Sequence, residues 1–240
     1  MTRAVITFHA VDDGPKPLSF PPTLFRRFVA NLRARDIAIL TLDELLRPDA
    51  RGVALTFDDG MVSVAEQAGP ILQEFDAPAH LFLTTATVGG DNRWPGQPAS
   101  APRYEMMSWS QIETLSGLGM RIEAHTANHP DLRKLSDDDV TAEFEAADLA
   151  IAERLGRAPQ FFAYPYGYHD ARVRRLAAAR YAACFTTELR YLDGPVSRDA
   201  IPRLDSHYLR NRIALANVSA RPAQLYFGLR RLGRRLRGGA

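Results

Sequence analysis

The sequence predicts an α/β chain in which a parallel sheet is covered by helices within one domain. Short apolar, partly β-branched runs alternate with amphipathic stretches along almost the whole chain, the pattern of such a sheet. Those runs amount to about seven strands, which favours an irregular (β/α) barrel over an open sheet, although periodicity alone leaves that choice open. Four of the runs end in groups able to do chemistry: His9, Asp58-Asp59, the stretch His125 through His129, and Tyr164-Pro165-Tyr166. In barrels and open α/β sheets the carboxyl ends of the strands are where ligands and catalytic groups gather.

Ala4–Phe8 reads as the first strand, followed by a loop rich in Asp, Gly and Pro. Thr23 is placed as the cap of a helix whose buried face is Phe25, Phe28, Val29 and Leu32. Ile37–Leu40 is expected as a short strand and Leu42–Leu46 as a short helix. The run Val53–Phe57 is a buried strand delivering Asp58 and Asp59 to its end, where Gly60 permits a sharp turn. A helix over Ser63–Phe75 and a strand over Ala79–Thr84 follow. Thr85–Met107 is a long Pro- and Gly-containing loop in which Trp94 and Tyr104 either stack on a sugar ring or anchor the loop. Helices are expected over Trp109–Leu118, from Ser136 to Leu155 and over Asp170–Ala179, and strands over Met120–Ala124, Phe161–Tyr164, Ala182–Thr187 and Ile201–Arg203.

The 240 residues suit a single large domain, and a net charge of +2 gives no reason to expect a nucleic-acid partner. The lone Cys184 has no partner for an internal disulfide and reads as a small buried hydrophobe, in keeping with a reducing compartment. No apolar run approaches membrane-spanning length. The first nine residues lead directly into a strand, with no sign of a secretion signal, so a cytoplasmic location is expected.

One Asp-Asp-Gly is cheap turn chemistry, and Asp12-Asp13-Gly14 repeats it. Val53–Gly60 gains weight from Glu123–Pro130, which reads E-A-H-T-A-N-H-P. Two histidines four apart can meet at one point on a helix or a tight loop. With Asp59 from another strand end they suggest a His-His-Asp set for a divalent metal, a donor set suited to a catalytic zinc-type site. Asp58 then remains as a general base toward water, beside a metal that acidifies water and polarises a carbonyl, as hydrolysis of an amide or ester requires.

T-F-D-D-G, H-T-x-x-H-P and Y-P-Y-G at these separations resemble the polysaccharide deacetylases of carbohydrate esterase family 4, the NodB-homology domain. The resemblance runs from about Val5 to Arg203. It implies a distorted (β/α)7-type barrel over residues 1–215 and metal-dependent removal of N-acetyl groups from amino sugars. It assigns Asp58 as base, Asp59, His125 and His129 as metal ligands, the Tyr166 backbone N–H to the oxyanion, and Pro165 and Tyr166 to the groove. Zinc is expected from the ligand types, with cobalt, nickel or iron(II) as alternatives. Two features depart from the family pattern. Ala163 stands where an arginine often orients the base; Arg203 is a candidate to replace it in space. The late Leu204-Asp205-Ser206-His207 has the wrong spacing for the usual acid histidine. The stretch F-A-Y-P-Y-G is similar to the subgroup of biofilm-type poly-N-acetylglucosamine deacetylases, in which the acid comes from an early strand. Phe8-His9 matches that place, which makes His9 the acid and His207 the fallback. His80 reads as a packed polar residue and His169 as a groove-rim residue. A glycan-binding domain without activity, or an esterase acting on O-acetyl groups, would use the same barrel.

Residues 216–240 read as a separate basic amphipathic helix. Leu225, Leu229, Leu232 and Leu236 share one face, and Arg230, Arg231, Arg234, Arg235 and Arg237 crowd the rest. Either the leucines pack on the barrel, or the helix lies on an anionic membrane surface, in which case the substrate would be a lipid-linked sugar.

Overall fold

The computed structural model describes residues 3–97, 100–194 and 196–236. Seven parallel strands form one sheet: β1 (Arg3–Phe8), β2 (Gly52–Asp59), β3 (Ala79–Leu83), β4 (Arg121–Ala124), β5 (Phe161–Ala163), β6 (Ala183–Phe185) and β7 (Leu204–Asp205). Their order across the sheet is β6-β5-β4-β3-β2-β1-β7. The helices are α1 (Pro22–Arg33), α2 (Leu42–Leu45), α3 (Gly69–Glu74, entered through a π-helical turn at Val64–Ala68), α4 (Trp109–Gly117), α5 (Asp137–Leu155), α6 (Ala171–Ala178), α7 (Arg212–Ala216) and α8 (Arg221–Leu236).

The sheet curls into a distorted barrel, and one segment draws its two edges together. Ile201 bridges Phe185 of β6, and three residues later Leu204 and Asp205 pair with Ile6 and Thr7 of β1. Among the described residues no helix intervenes between β6 and β7, which is where the (β/α) repeat is broken. The strand expected over Ile201–Arg203 is therefore displaced. Ile201 makes a single bridge and the paired residues are Leu204–Asp205, because the chain crosses from one edge to the other at this point.

The central strands are buried on both faces, β2 along its entire length, as parallel sheets require. Phe8, Phe25 and Phe57 form an aromatic knot, with Phe8 edge-on to Phe25 at 5.0 Å and stacked on Phe57 at 5.5 Å. Each fully buried phenylalanine is worth about 1.5–3 kcal/mol, and this knot locks β1 in register with β2 directly beneath His9 and Asp58.

Two expected local features differ. Helix α1 begins at Pro22, with Pro21 before it, because proline pre-sets the helical φ; Thr23 lies inside the helix and is not its cap. Ile37–Leu40 makes only the bridge from Ile39 to Val53, since Thr41 already caps α2 in a reciprocal capping box with Glu44 and the chain has no length left for a strand.

Candidate metal and catalytic centre

Adjacent residues of a strand point to opposite faces, so two neighbouring carboxylates can serve one site only if the chain breaks that alternation. It does so at Asp59, whose φ is +73°, followed by Gly60 at +108°. The same device recurs in the other loops at this end of the sheet. Six non-glycine residues have positive φ among the described residues, and four of them, Asp59, Thr126, His129 and Tyr166, meet here. Such backbone costs of order 1–3 kcal/mol per residue and persists where surrounding structure imposes it.

For the histidine loop, that structure is visible. The Thr126 hydroxyl accepts the His129 backbone N–H at 2.9 Å. Glu143 on α5 accepts the backbone N–H groups of Ala127 and Asn128 at 3.0 and 2.9 Å and the Asn128 amide at 2.7 Å. The loop thus brings the two rings to a centroid separation of 4.8 Å. Asp59 Oδ1 lies 3.5 Å from His125 Nε2 and 3.6 Å from His129 Nε2. Tetrahedral ligands at 2.0–2.1 Å from zinc are separated by about 3.3 Å, so the spacing fits ligands around an ion. Asp59, His125 and His129 each offer one donor atom within 4.8 Å of the others, and all three residues are buried. Asp59 Oδ1 has no hydrogen-bond partner, as expected of an atom built to face a cation. His125 donates Nδ1–H to the Ala163 carbonyl at 2.7 Å, which leaves Nε2 to bear the lone pair. Burial, reinforced by the neighbouring His125, pushes His129 down to about 3, so its imidazole is neutral. Burial opposes ionisation of Asp59, but the adjacent imidazoles of His125, His129 and His9 outweigh it and hold the carboxyl below its usual range.

Asp58 is 2% exposed and grips Arg203, itself 1% exposed, in a two-pronged ion pair with both N–O distances at 2.7 Å. Burial raises the cost of charging Asp58, yet Arg203, with His125 and His9 adding to it, keeps the carboxyl below its ordinary value. The guanidinium is fixed by donation from Nε to the Thr186 carbonyl at 3.0 Å and lies over the Phe82 ring. Arg203, named in the sequence as a candidate, is thus the arginine that pairs with Asp58. An Asp carboxylate has about four acceptor positions; the arginine takes two and leaves the others for a substrate-side proton.

His9 follows β1, where the Phe8–Phe57 register sets it beside Asp58. It is half-buried and is an electrostatic neighbour of Asp58, Asp59 and His129. His207 lies just beyond β7, its ring against Tyr208. Tyr166, at φ +59°, sits in the turn Pro165–Gly167, with Pro165 buried beneath it. Its ring meets His129 edge-on at 4.4 Å. Trp94 from the long loop covers the other side of His129 at 4.3 Å and donates its indole N–H to the Tyr166 hydroxyl at 2.9 Å. Tyr104 bonds the Ser19 hydroxyl and the Pro15 carbonyl. Both aromatics therefore anchor the loop, and Trp94 also walls the site. His80 is a packed polar residue, accepting the Leu42 N–H on Nε2 and bonding Glu123 through Nδ1. His169 packs against Tyr164 at 5.1 Å. Glu143 escaped the sequence reading; its one signal is an acidic residue on the helix that follows the histidine loop.

The polysaccharide deacetylase family model matches residues 46–182, more than half of the chain. The chain belongs to the polysaccharide deacetylase family. It is 26% identical over 180 residues to the poly-β-1,6-N-acetyl-D-glucosamine N-deacetylase of Staphylococcus aureus (strain MSSA476), covering 68% of this chain and 58% of that protein. It is 22% identical over 203 residues to YxkH of Bacillus subtilis, covering 81% and 66%. The chain thus spans about three fifths to two thirds of the length of these curated relatives. Among solved structures, IcaB from Ammonifex degensii superposes with a TM-score of 0.75 at 21% identity, covering 92% of this chain and 97% of that one. The Streptococcus pyogenes deacetylase PplD, solved with acetate, does so at 0.73 and 23% identity, covering 85% and 92%. These likenesses support the barrel fold.

Proposed function

We propose that this chain is a metal-dependent carbohydrate N-deacetylase that hydrolyses the acetamide of an amino sugar to acetate and the free amine. The observation that carries the reading is the buried Asp59–His125–His129 cluster beside an Asp58 held ionised by Arg203, in a chain of the polysaccharide deacetylase family. Asp59, His125 and His129 would hold the ion, most simply zinc. Such an ion supplies Lewis acidity toward the acetamide carbonyl and brings the pKa of water to about 7. Asp58 takes the proton of the attacking water on its free acceptor positions. The Tyr166 backbone N–H donates to the oxygen on which negative charge develops. His9 delivers a proton to the departing nitrogen, so the amine leaves neutral. The substrate is an N-acetylated sugar within a glycan or a lipid-linked or soluble conjugate. The name of the staphylococcal relative makes β-1,6-linked N-acetylglucosamine the first to test.

The test is acetate release by zinc-loaded protein from N-acetylglucosamine oligomers of β-1,6 and β-1,4 linkage, lipid-linked amino sugars and O-acetylated sugars. Release from an N-acetylated substrate, lost in Asp58→Asn, is expected. Release confined to O-acetyl substrates would make the protein an esterase. Metal bound one to one, with binding of glycans and no release from any, would make it a binding domain.

A further inference from the structure

The C-terminal helix presents its leucines the wrong way round for a core helix. Leu225, Leu229, Leu232 and Leu236 are 67%, 62%, 55% and 80% exposed. Their spacing puts them in one stripe along α8. The opposite side is the one that docks: Ala223 and Phe227 are buried, Phe227 packs against Tyr191 at 5.7 Å, and Arg231 pairs with Glu188 at 2.8 Å. Of the two readings of this helix, the one in which the leucines pack on the barrel does not hold, because Phe227 and Ala223 occupy the docked side. Three anchors hold the helix so that the apolar stripe faces outward.

The helix is also one-signed. Residues 221–240 contain six arginines and neither Asp nor Glu. Pairing two such stripes across a dimer would bring two cationic helices together with no acid on α8 to offset them. A surface that takes leucines into an apolar layer and offers negative charge at its edge satisfies both features, and arginine can extend its charge to that edge while its stem stays apolar. Sixteen residues of helix measure about 24 Å, and no described helix is long and apolar enough to cross a membrane. The helix is thus suited to lying along a bilayer. Arg237 and the three residues after it lie outside the described residues.

We infer that α8 seats this protein on the surface of an anionic lipid bilayer, with Leu225, Leu229, Leu232 and Leu236 in the acyl boundary and Arg230 and Arg234 at the headgroups. Glu188, which Arg231 grips, follows Thr187, whose hydroxyl reaches the Tyr166 carbonyl at 3.4 Å. The anchor is therefore tied to the rim of the metal site. The inference stands whether or not the chain deacetylates sugars.

The experiment is co-sedimentation of the full chain with vesicles of phosphatidylcholine, with and without phosphatidylglycerol, alongside the double variant Leu229→Asp, Leu232→Asp. Both leucines are exposed, so the variant should fold, and an unchanged unfolding midpoint checks this. Binding to the anionic vesicles, weakened by salt and reduced more than about tenfold in the variant, is expected. Failure to bind anionic vesicles, or binding that the variant retains, would overturn the inference. So would a concentration-dependent dimer, formed without vesicles and abolished by the same changes, since it would assign the stripe to a second copy of the chain.

Discussion

Arg203 and Asp58 are 145 residues apart in the chain and share two hydrogen bonds in the core. Removing one partner of a buried, two-pronged pair leaves an uncompensated charge, at a cost of about 3–5 kcal/mol. Arg203→Ala is accordingly expected to lower the unfolding midpoint sharply and to abolish acetate release. Arg203→Lys keeps the charge but not the planar fork; it should fold better than the alanine variant yet stay well below wild-type turnover. Equal activity in the lysine variant would show that charge alone, without orientation, is what Asp58 needs. Glu143 acts at one remove. It touches no donor atom of the metal cluster but ties down the backbone between two of them. Partners of this kind are worth about 10–100-fold in metal affinity. Calorimetric titration of Glu143→Ala with zinc should show a loss of that size while the unfolding midpoint of the metal-free protein barely moves. A midpoint that collapses would mean that the carboxylate supports the fold instead.

The turn carrying Tyr166 depends on the residue after it. Gly167 has φ +72°, and a Cβ there would collide with the Thr187 side chain. Gly167→Ala therefore combines backbone strain with a clash at the rim of the site. A loss of at least about 1 kcal/mol is expected from the strain alone, with turnover falling further as Tyr166 is displaced. Chemical denaturation and acetate release read the two effects separately, and wild-type values for both would mean that the turn is free to relax. Such turns also mark the limit of sequence reading. Val53–Gly60 and the H-T-A-N-H loop were legible because strand, acid and histidine spacing are local signals. The long helix α5 was legible from the stripe Val140, Phe144, Ala147, Ile151 and Leu155, of which the structure buries the first four and half-buries the last. What was not local was not fully legible. Arg203 could be named only as a candidate, because nothing short of the fold brings it to Asp58. The side of α8 that docks was hidden because leucine outranks alanine and phenylalanine in a helical count. The Ile201–Arg203 strand was misplaced because the chain there serves both edges of a sheet whose curvature no periodicity records.

The architecture separates what holds the chain together from what it holds. The aromatic knot beneath β1 and β2 and the cluster around Phe144 and Phe162 contain none of the proposed metal ligands, and the sheet from β6 to β7 contains only one, Asp59 at the end of β2. Chelation should therefore leave the protein folded, unlike a small domain organised around its ion. The metal would still report on its site through linkage, since a ligand that binds only the native state stabilises it by RT ln(1 + [L]/Kd). Above Kd, each tenfold rise in free zinc adds about 1.4 kcal/mol, so the unfolding midpoint of chelator-treated protein should climb steadily with metal. In Asp59→Asn, a ligand is weakened and the partnerless buried oxygen no longer carries charge, so the climb should begin only at much higher zinc. Its neighbours favour the charged form of Asp59 by more than burial disfavours it, so at neutral pH the metal-free variant should also be somewhat less stable than metal-free wild type. If both proteins gained equally from zinc, the ion would be binding elsewhere and Asp59 would not be its ligand. A wild type indifferent to zinc but responsive to cobalt, nickel or iron(II) would keep the site and change its metal.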